Sequence, residues 1–458
     1  MNKKRVLGIL VTAAVVAAGL FYFWRPSFDA ERLVKNSELG NRSFSRPVVE
    51  VVSHKYGIKA YLLEDTSNPI ISVGFVFAHA GAGAEKEGQA GLAKMTAALI
   101  SEAAGELDSQ TFKEKLEDYA ISIGYGADND DFSGRLLTIK EFSPLAFAML
   151  KQTLTEPRVD RADLERIRKQ MLAMLESQNE NPGQQLSLTA NRTLFGDHPY
   201  GRNLLGKKED IESFSSRDIK QFAAANLGRS NLIVGIAGDM TAEEAGVFLD
   251  EVFGSLPEKG AADNVPAVRP ELAGGFVYQN EELPQSMAFV AAQGTRRNDA
   301  DFYPLYIANY ILGGSGLGSR LNLAAREKEG LTYGIYTGLS IADKAEMIVG
   351  GFSSTPENFA RVVEIFTEKW NEIGQQGVSE KELAEAKNYL VASYNLRFAD
   401  IAAIADMLVY MQKENLGIDF LLERNRYVSE VTLEQVNRAA AQYFTPENLK
   451  IIGLGRFN

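Results

Sequence analysis

Few side chains in this sequence could bind a metal or act as a nucleophile. The chain has no cysteine, which excludes disulfides, thiolate metal ligands and a cysteine nucleophile. Its three histidines, His54, His79 and His198, lie far apart. No two of them have the i,i+4 spacing that places two imidazoles on one face of a helix. The sequence therefore predicts no histidine-based zinc site within this chain, and we expect His79 and His198 to be structural.

Two other stretches have chemically suggestive residues but lack a complete motif. The run DNDD at residues 128–131 lacks the alternating ligands and the terminal glutamate of a calcium-binding loop, so a turn between strands is expected there. The run GGSGLGS at residues 313–319 lacks the lysine of a phosphate-binding P-loop. Neither stretch predicts a cofactor.

Composition and charge limit the class of protein. The 458 residues are 45% hydrophobic and 24% charged, which is typical of a globular chain of more than one domain. The net charge is −12, and no cluster of lysine and arginine forms a basic face. The sequence therefore predicts no nucleic-acid partner.

The N-terminus has the pattern of a membrane segment. The basic start MNKKR precedes 19 residues, VLGILVTAAVVAAGLFYFW, that contain no charge. This length matches the hydrocarbon thickness of a bilayer, and the basic flank favours a cytoplasmic N-terminus. We expect residues 1–30 to be a membrane anchor or signal segment. The rest of the chain would then lie on the periplasmic side of the bacterial inner membrane, anchored there, or secreted if the segment is cleaved.

An internal repeat indicates how the rest of the chain is organised. Residues 214–239 align without gaps on residues 431–456, at an offset of 217. Each stretch has the pattern of a short helix, a turn and an apolar strand. Residues 69–81 correspond in the same order to residues 284–296, and both are strand-like. The sequence therefore predicts two duplicated halves with one α+β plan.

The boundaries of these halves follow from the repeat and from composition. The N-terminal half is predicted at residues 45–255 and the C-terminal half at residues 271–458. Between them, residues 256–270 are rich in proline, glycine and charged residues, as is typical of an exposed linker.

Several stretches resemble the insulinase-like, or pitrilysin-like, zinc peptidases, and the resemblance covers nearly all of residues 45–458. In the N-terminal half it rests on LTEPRVDRADLERIRKQML, on HPYG followed by GKKEDIESFS, and on SNLIVGIAGDM. In the C-terminal half it rests on ANYILGGSGLGSRLNLAAREKEGLTYGIYTGLS. The resemblance implies a clamshell of two α+β halves, each an antiparallel sheet packed with helices.

The same resemblance implies where a zinc site would lie in an active member of the family. Such members carry H-x-x-E-H on a helix that follows a glycine, and a third ligand, a glutamate, on a later helix. In this chain Lys94 and Ala98 stand at the histidine positions, Ala97 at the catalytic glutamate and Met174 near the distant ligand. Ammonium and methyl groups cannot replace these ligands, so we expect this chain to bind no zinc.

The C-terminal half resembles the part of the family that completes the active site from the opposite side. Arg326 and Tyr333 match an Arg/Tyr pair that contacts substrate in active members. A phenol can donate a hydrogen bond to a developing oxyanion, and a guanidinium can hold substrate carbonyls or a carboxylate. The alternative is that Arg326 is a solvated helix-end charge and Tyr333 packs within a strand.

A glycine cluster precedes this pair. It resembles the mobile, glycine-rich loop with which related non-catalytic subunits contact substrate. The alternative for Gly313 and Gly314 is that they end a helix. The glycines of the cluster are Gly313, Gly314, Gly316 and Gly318.

The resemblance thus implies a function that this chain cannot perform alone. We expect the zinc-free subunit of an exported heterodimeric metallopeptidase, whose homologous partner carries H-x-x-E-H and the zinc. The expected substrates are extended peptides that add to a sheet edge. The alternative is a non-catalytic structural or peptide-binding subunit of a membrane-associated complex. A zinc peptidase active on its own is disfavoured by the lost ligands.

Overall fold

The computed structural model describes residues 47–394, 398 and 400–457. The described residues belong to one compact unit made of two α+β halves, each with one β-sheet and helices packed against it. The predicted duplicated α+β architecture is therefore confirmed. The predicted membrane segment, residues 1–30, lies outside the described residues. Within the part of the chain that is described, no helix is long and apolar enough to cross a bilayer.

The N-terminal half contains six strands and a series of helices. The strands are β1 (Val49–Val52), β2 (Lys59–Glu64), β3 (Ile70–Phe77), β4 (Ser122–Ala127), β5 (Phe132–Ile139) and β6 (Leu232–Gly238). The helices are α1 (Leu92–Ile100), α2 (Ser109–Asp118), α3 (Ser143–Thr155), α4 (Arg161–Glu180), α5 (Pro182–Phe195), α6 (Lys208–Ser213), α7 (Ser216–Asn226) and α8 (Ala242–Phe253). Residues 254–275 follow without a helix or strand and lead into the next half.

The C-terminal half repeats this plan with five strands. The strands are β7 (Phe276–Asn280), β8 (Ser286–Gln293), β9 (Thr332–Ile341), β10 (Glu346–Ser354) and β11 (Lys450–Gly455). The helices are α9 (Phe302–Asn309), α10 (Arg320–Asn322), α11 (Pro356–Gln376), α12 (Glu380–Ala392), α13 (Ile401–Lys413), α14 (Phe420–Glu430) and α15 (Leu433–Tyr443). Two π-helices, Tyr310–Gly314 and Leu323–Lys328, flank α10.

The two sheets have matching strand orders. The N-terminal sheet runs β1-β2-β6-β3-β5-β4 and the C-terminal sheet runs β7-β11-β8-β10-β9. Neighbouring strands are antiparallel apart from one parallel pair in each sheet, β2 with β6 and β7 with β11. The strands β4 and β9 therefore occupy equivalent end positions. The predicted turn at residues 128–131 is confirmed, because it joins β4 to β5.

The repeat found in the sequence reflects equivalent contacts in the two halves. The side-chain amide of Asn231 donates to the carbonyls of Ala78 and Asn226, at 2.7 and 3.0 Å. Asn448, at the aligned position, donates to Gln293 at 3.1 Å and Tyr443 at 2.7 Å. In each half one asparagine therefore ties the end of a helix to the end of a central strand.

Each half also covers the sheet of the other half with one helix. Leu186, Ala190 and Leu194 of α5 pack on the C-terminal sheet around Ala291 and Ile452. In the opposite direction, α13 packs on β3 and β6 of the N-terminal sheet. Helices thus cover both faces of the central strands, which explains why β3, with the sequence IISVGFVF, is mostly apolar and does not alternate between apolar and polar residues.

Two glycines allow α13 to approach the N-terminal sheet closely. A Cβ atom on Gly235 would overlap the carbonyl oxygen of Ala405 and would lie 2.9 Å from Leu408 Cβ. A Cβ atom on Gly74 would lie 3.0 Å from Asp406 Oδ1, and the carboxylate of Asp406 is paired with Arg135. The position of the helix therefore depends on the absence of side chains at these two strand positions.

Replacing Gly235 with alanine is expected to destabilise the protein by about 2 kcal/mol or more, because the new methyl group meets helix backbone that cannot rotate away. Chemical denaturation would give the free energy of unfolding. The matched control is Gly124→Ala in end strand β4, where nothing lies within 4 Å of the added Cβ. This control should change stability by no more than about 0.5 kcal/mol. Equal effects of the two substitutions would contradict the proposed close packing.

Candidate functional site

The helix that aligns with the zinc-binding helix is α1, and its first turn is held by a carboxylate. Glu85 accepts hydrogen bonds from the backbone N–H groups of Gly91, at 3.2 Å, and Ala93, at 2.9 Å. Gly91 has a φ of 94°, and a Cβ there would lie 2.6 Å from the Leu205 carbonyl oxygen. The start of the helix therefore requires glycine at this position.

Glu85 is a largely buried ionisable group at the start of α1, and its pKa is shifted by its surroundings. Burial raises its pKa to about 7, although the two backbone hydrogen bonds and Arg202 favour the ionised form. Nearby, Asp210 accepts a hydrogen bond from the backbone N–H of Ala90 at 3.0 Å. Sequence reasoning missed Glu85, because only the fold brings a residue before the helix against its first turn.

The structure places three of the four aligned zinc positions on α1. Lys94 and Ala98 are half-buried and lie one turn apart, on the part of the helix that reaches the surface. Ala97 is only 3% exposed and packs in the N-terminal core. None of these side chains has a metal-ligating atom suited to Zn²⁺.

The fourth aligned position lies on α4. Met174 is 57% exposed and follows, by about one turn, Met171, which is buried in the same core as α1. A thioether at this position does not replace a carboxylate ligand. Within the described residues, no group of three or more His, Cys, Asp or Glu side chains could hold a metal ion.

His198 has the structural role that was predicted. Its Nδ1 accepts from the backbone N–H of Tyr200 at 3.2 Å, and its Nε2 lies 3.0 Å from the carbonyl oxygen of Pro266, to which it donates. This histidine therefore fastens the segment after α5 to the connection between the halves.

A second set of candidate residues lies in the C-terminal half, between α9 and β9. Here the chain passes from one π-helix through a short 3₁₀-helix, Gly316–Gly318, into α10, and then through the second π-helix into β9. Departures from α-helical hydrogen bonding of this kind are frequent at functional sites. Both π-helices pack against β9.

The short helix α10 is fixed by polar side chains. Arg320 forms two hydrogen bonds with the carboxylate of Glu382, at 2.7 and 2.9 Å, and one with the Gly377 carbonyl at 3.0 Å. Hydrogen bonding to Arg320 lowers the pKa of Glu382 to about 2. On the other side, the amide of Asn322 donates to the carbonyl of Ile335 in β9 at 2.7 Å. The loop before α10 and the π-helix after it therefore share a rigid attachment.

Sequence reasoning did not identify Arg320 or Glu382. The signal that could have located Glu382 is the capping box of Ser379 and Glu382 at the start of α12. Its pairing with an arginine 62 residues earlier is visible only in the fold.

Arg326 and Tyr333 both reach the surface. The Arg326 side chain is 41% exposed, and its ion-pair contact is with its neighbour Glu327 at 3.9 Å. Tyr333 is 85% exposed, and within the described residues its hydroxyl has no hydrogen-bond partner. The alternative in which Tyr333 packs within a strand is therefore wrong. Leu317 and Leu323 are also about half exposed beside this segment.

The four glycines of the cluster have two different surroundings. Gly313 and Gly314 end the first π-helix, and a Cβ on Gly313 would overlap the Thr337 side chain of β9. Gly316 has a φ of 64° and, like Gly318, has open space around it. Gly313 is thus packed and Gly314 ends the same π-helix at the surface, whereas Gly316 and Gly318 belong to an exposed 3₁₀-helix.

The structure does not join these two sets of residues into one site. Helix α1 packs on α4, α7 and β4, whereas the segment with Arg326 packs on α10, α11 and β9. The N-terminal set occupies the positions that the resemblance aligns with a zinc site, and none of its side chains is suited to bind Zn²⁺. The C-terminal set has an exposed hydrogen-bond donor and an exposed cation without a nucleophile.

Comparison with known proteins relates this arrangement to a family. Residues 213–390 match the family model described as the peptidase M16 inactive domain. The non-peptidase homolog YmxG of Helicobacter pylori is 26% identical over 372 residues, covering 81% of this chain and 86% of its own. An uncharacterized zinc protease, ML0855 of Mycobacterium leprae, is 25% identical over 75% of this chain and 80% of its own. A probable mitochondrial-processing peptidase subunit beta of Schizosaccharomyces pombe is 23% identical over 69% of this chain and 71% of its own.

Solved structures show the same fold. The crystal structure of a peptidase M16 inactive domain from Pseudomonas fluorescens matches with a TM-score of 0.83 and 26% identity, over 90% of this chain and 98% of that one. The periplasmic protease PqqL of Escherichia coli matches in fold, with a TM-score of 0.76 and 15% identity. The match covers 90% of this chain but 45% of PqqL. The resemblance inferred from the sequence is therefore confirmed.

Replacing Glu85 with glutamine should change how stability depends on pH. A carboxyl group whose pKa is raised on folding contributes stability below its unfolded pKa, and this contribution is lost as the pH rises through the folded value. The free energy of unfolding of the wild type, relative to Glu85→Gln, should therefore fall by up to about 3 kcal/mol between pH 4.5 and pH 7. Denaturant titrations at several pH values would measure this difference. The exposed Glu87→Gln variant is the control and should follow the wild type; a pH-independent difference for Glu85→Gln would contradict the assignment.

Proposed function

We propose that this chain, an insulinase-like protein with a peptidase M16 inactive domain, is the zinc-free, non-catalytic subunit of an exported heterodimeric metallopeptidase. The observation that carries the proposal is the almost complete exposure of Tyr333, seven residues after the exposed Arg326, in a chain whose aligned zinc positions hold no ligand. An exposed donor and cation of this kind are suited to a reaction centre supplied by another chain.

The size of the chain supports a partner of similar fold. This chain spans about half of PqqL, so a single protease of that fold has the length of two such chains. The relative from Schizosaccharomyces pombe is named as a subunit of a processing peptidase. In the proposed assembly the homologous partner carries H-x-x-E-H and the zinc, which supplies the activated water.

The residues of this chain would act on the substrate rather than on the metal. Tyr333 is suited to donate a hydrogen bond from its hydroxyl to the carbonyl oxygen of the scissile bond as negative charge develops there. Arg326 is suited to orient the substrate through the planar fork of its guanidinium. The contacts of Arg320 with Glu382 hold α10, which leads directly into the π-helix that carries Arg326. Fewer groups of this chain therefore need to be ordered when a substrate binds.

Extended peptides are the substrate class that this surface favours. The strand β9 ends its sheet, and no further described strand pairs with its outer side. The carbonyls of Ile335 and Thr337 accept hydrogen bonds from the side-chain amides of Asn322 and Asn309, so an added strand would pair with the backbone groups of β9 outside these two positions. An added strand would be held by main-chain hydrogen bonds with little dependence on its sequence.

The proposed location is the periplasmic side of the bacterial inner membrane. It rests on the basic and apolar pattern of residues 1–30, which predicts a membrane anchor or a cleaved signal, and PqqL is itself named a periplasmic protease. The net charge of −12 supports a protein or peptide partner rather than a nucleic acid.

A second candidate function is that of a structural or peptide-binding subunit with no part in catalysis. The name of the Helicobacter pylori relative, a non-peptidase homolog, favours it. The two functions differ in one respect that can be measured, which is whether the Tyr333 hydroxyl changes the rate of cleavage by the complex.

Replacing Tyr333 with phenylalanine should lower kcat of the reconstituted complex by about 100-fold, because it removes one oxyanion donor. KM should change little, since the donor acts mainly in the transition state. The measurement is steady-state cleavage of an unfolded peptide by the chain combined with its H-x-x-E-H partner.

The matched control for this experiment is Tyr278→Phe. Tyr278 is also an exposed tyrosine, on β7 at the opposite end of the same sheet, and its substitution should leave kcat unchanged. If Tyr333→Phe is as active as this control, the catalytic contribution is excluded and the second candidate function stands.

Metal analysis provides a separate test. The chain purified alone should contain no stoichiometric zinc, because Lys94, Ala97, Ala98 and Met174 lack suitable ligand atoms. Removing metal with a chelator should leave its melting temperature unchanged, whereas the complex should lose its activity. One zinc ion per isolated chain would contradict the proposed division of roles.

A further inference from the structure

A cluster of polar and charged side chains lies where the two halves meet, and we call it the junction cluster. It brings together the turn between β4 and β5, the turn between β9 and β10, the end of α13 and the segment after α5. The junction cluster consists of His79, Asp130, Asp131, Tyr200, Asp343 and Lys413.

Lys413 occupies the centre of the junction cluster. Its ammonium group forms an ion pair with Asp131, in the turn of the N-terminal sheet, and lies 2.8 Å from Asp343 Oδ1, in the turn of the C-terminal sheet. Asp131 is only 5% exposed, so this carboxylate depends on its protein partners rather than on water. One cation therefore bridges carboxylates from the two sheets.

Asp130 makes a second connection across the junction. Its Oδ2 accepts a hydrogen bond from the backbone N–H of Asp343 at 3.1 Å, and its Oδ1 accepts from the Tyr200 hydroxyl at 2.5 Å. The oxygen of Tyr200 in turn accepts from the backbone N–H of Lys344 at 2.9 Å. Hydrogen exchange of these two backbone amides in the β9–β10 turn should therefore depend on whether the junction is closed.

His79 adds a third connection, and its backbone conformation is unusual. Its φ of 62° lies in the left-handed region, which costs free energy for a residue other than glycine. In this conformation its Nδ1 lies 3.8 Å from Asp263 and 3.9 Å from Asp343. Its backbone N–H donates to Asp131 at 3.4 Å.

Carboxylates outnumber ammonium groups around the junction. Besides those already described, Asp128 and Glu414 add negative charge, and Lys344 pairs with Asp263. Burial raises the pKa of Asp131 to about 6, and burial also raises the pKa of Asp130. Burial alone would lower the pKa of Lys413, but the adjacent carboxylates raise it, so the ammonium stays charged.

We propose that the junction cluster is a proton-sensitive latch, which holds the two halves together more firmly at mildly acidic pH than at neutral pH. Opening the junction would hydrate Asp131 and return its pKa to the ordinary value near 3.9. A proton therefore binds more tightly to the closed form, and acid favours closure. Lys413 remains charged and continues to hold Asp343 when Asp131 is neutral. The latch consists of residues of this chain alone, so its pH dependence does not require a partner or a substrate.

Hydrogen–deuterium exchange of the whole chain tests the proposal. The backbone amides of Asp343 and Lys344 are followed at pH 5 and pH 7, with rates corrected for the intrinsic effect of pH. The equilibrium constant for opening should be about tenfold larger at pH 7 than at pH 5, given the shifted pKa of Asp131. Equal corrected protection at the two pH values would overturn the proposal.

Substitutions identify the group responsible. Asp131→Asn should remove the part of the pH dependence that Asp131 supplies, so that the tenfold ratio becomes clearly smaller, and should keep the protection of the closed form at pH 7. Asp118→Asn, which changes an exposed aspartate on α2, should leave the tenfold ratio intact. Tyr200→Phe should speed exchange of the Lys344 amide at both pH values while the ratio persists. If Asp131→Asn retains the full pH dependence, the latch does not operate through Asp131 and the proposal as stated is overturned. If that variant does not fold, the comparison of the wild type at two pH values still decides the question.

Discussion

The reciprocal packing of one helix from each half on the sheet of the other half is the contact on which this structure depends. Helix α13 packs on the N-terminal sheet, and α5 packs on the C-terminal sheet. Separating the halves would expose an apolar helix face and an apolar sheet face twice, and each such exposure is costly in water. This constraint also explains residue choices inside the strands, because the backbone of α13 fits only where Gly74 and Gly235 have no side chain.

The exchange restricts where other molecules could contact the sheets. Both faces of the central strands are covered, and β4 and β9 lie at equivalent ends of the two sheets. Helix α1 lies beside β4, and Tyr333 lies on β9. Beside β4, the first turn of α1 is capped by Glu85, and α1 carries no metal ligand. Folding and metal binding are separable here, because the cap and the core contacts of α1 do not involve Lys94 or Ala98.

The segment next to β9 combines a helix that is fixed by hydrogen bonds with side chains that are exposed to solvent. Arg320, Glu382 and Asn322 hold α10 with hydrogen bonds that are largely shielded from water, which makes them stronger than exposed pairs. Arg326 and Tyr333 follow this attachment in the chain, and both side chains reach the surface. Across the molecule, the junction cluster adds directional charged contacts to the apolar helix exchange. Apolar packing is insensitive to pH, so a response to protons has to come from an ionisable group such as Asp131, which lies beside the permanently charged Lys413.

The amino-acid sequence was sufficient to predict the duplication, the positions of several helices and strands, and the absence of zinc-ligating residue types at the aligned positions. These features depend on local residue type and spacing: α1 begins after Gly91, the turn at residues 128–131 joins two strands, and residues 94, 97, 98 and 174 have no side chain suited to zinc. The folded structure was needed to show which helix covers which sheet, that Glu85 caps α1, that Arg320 pairs with Glu382 and that Tyr333 faces solvent while Gly313 is packed. Each of these depends on contacts between residues distant in the chain or on burial, and neither is encoded in a local pattern. The approach of Ala405 to Gly235 is of this kind, because a glycine in a strand has no local signature that identifies the helix it admits.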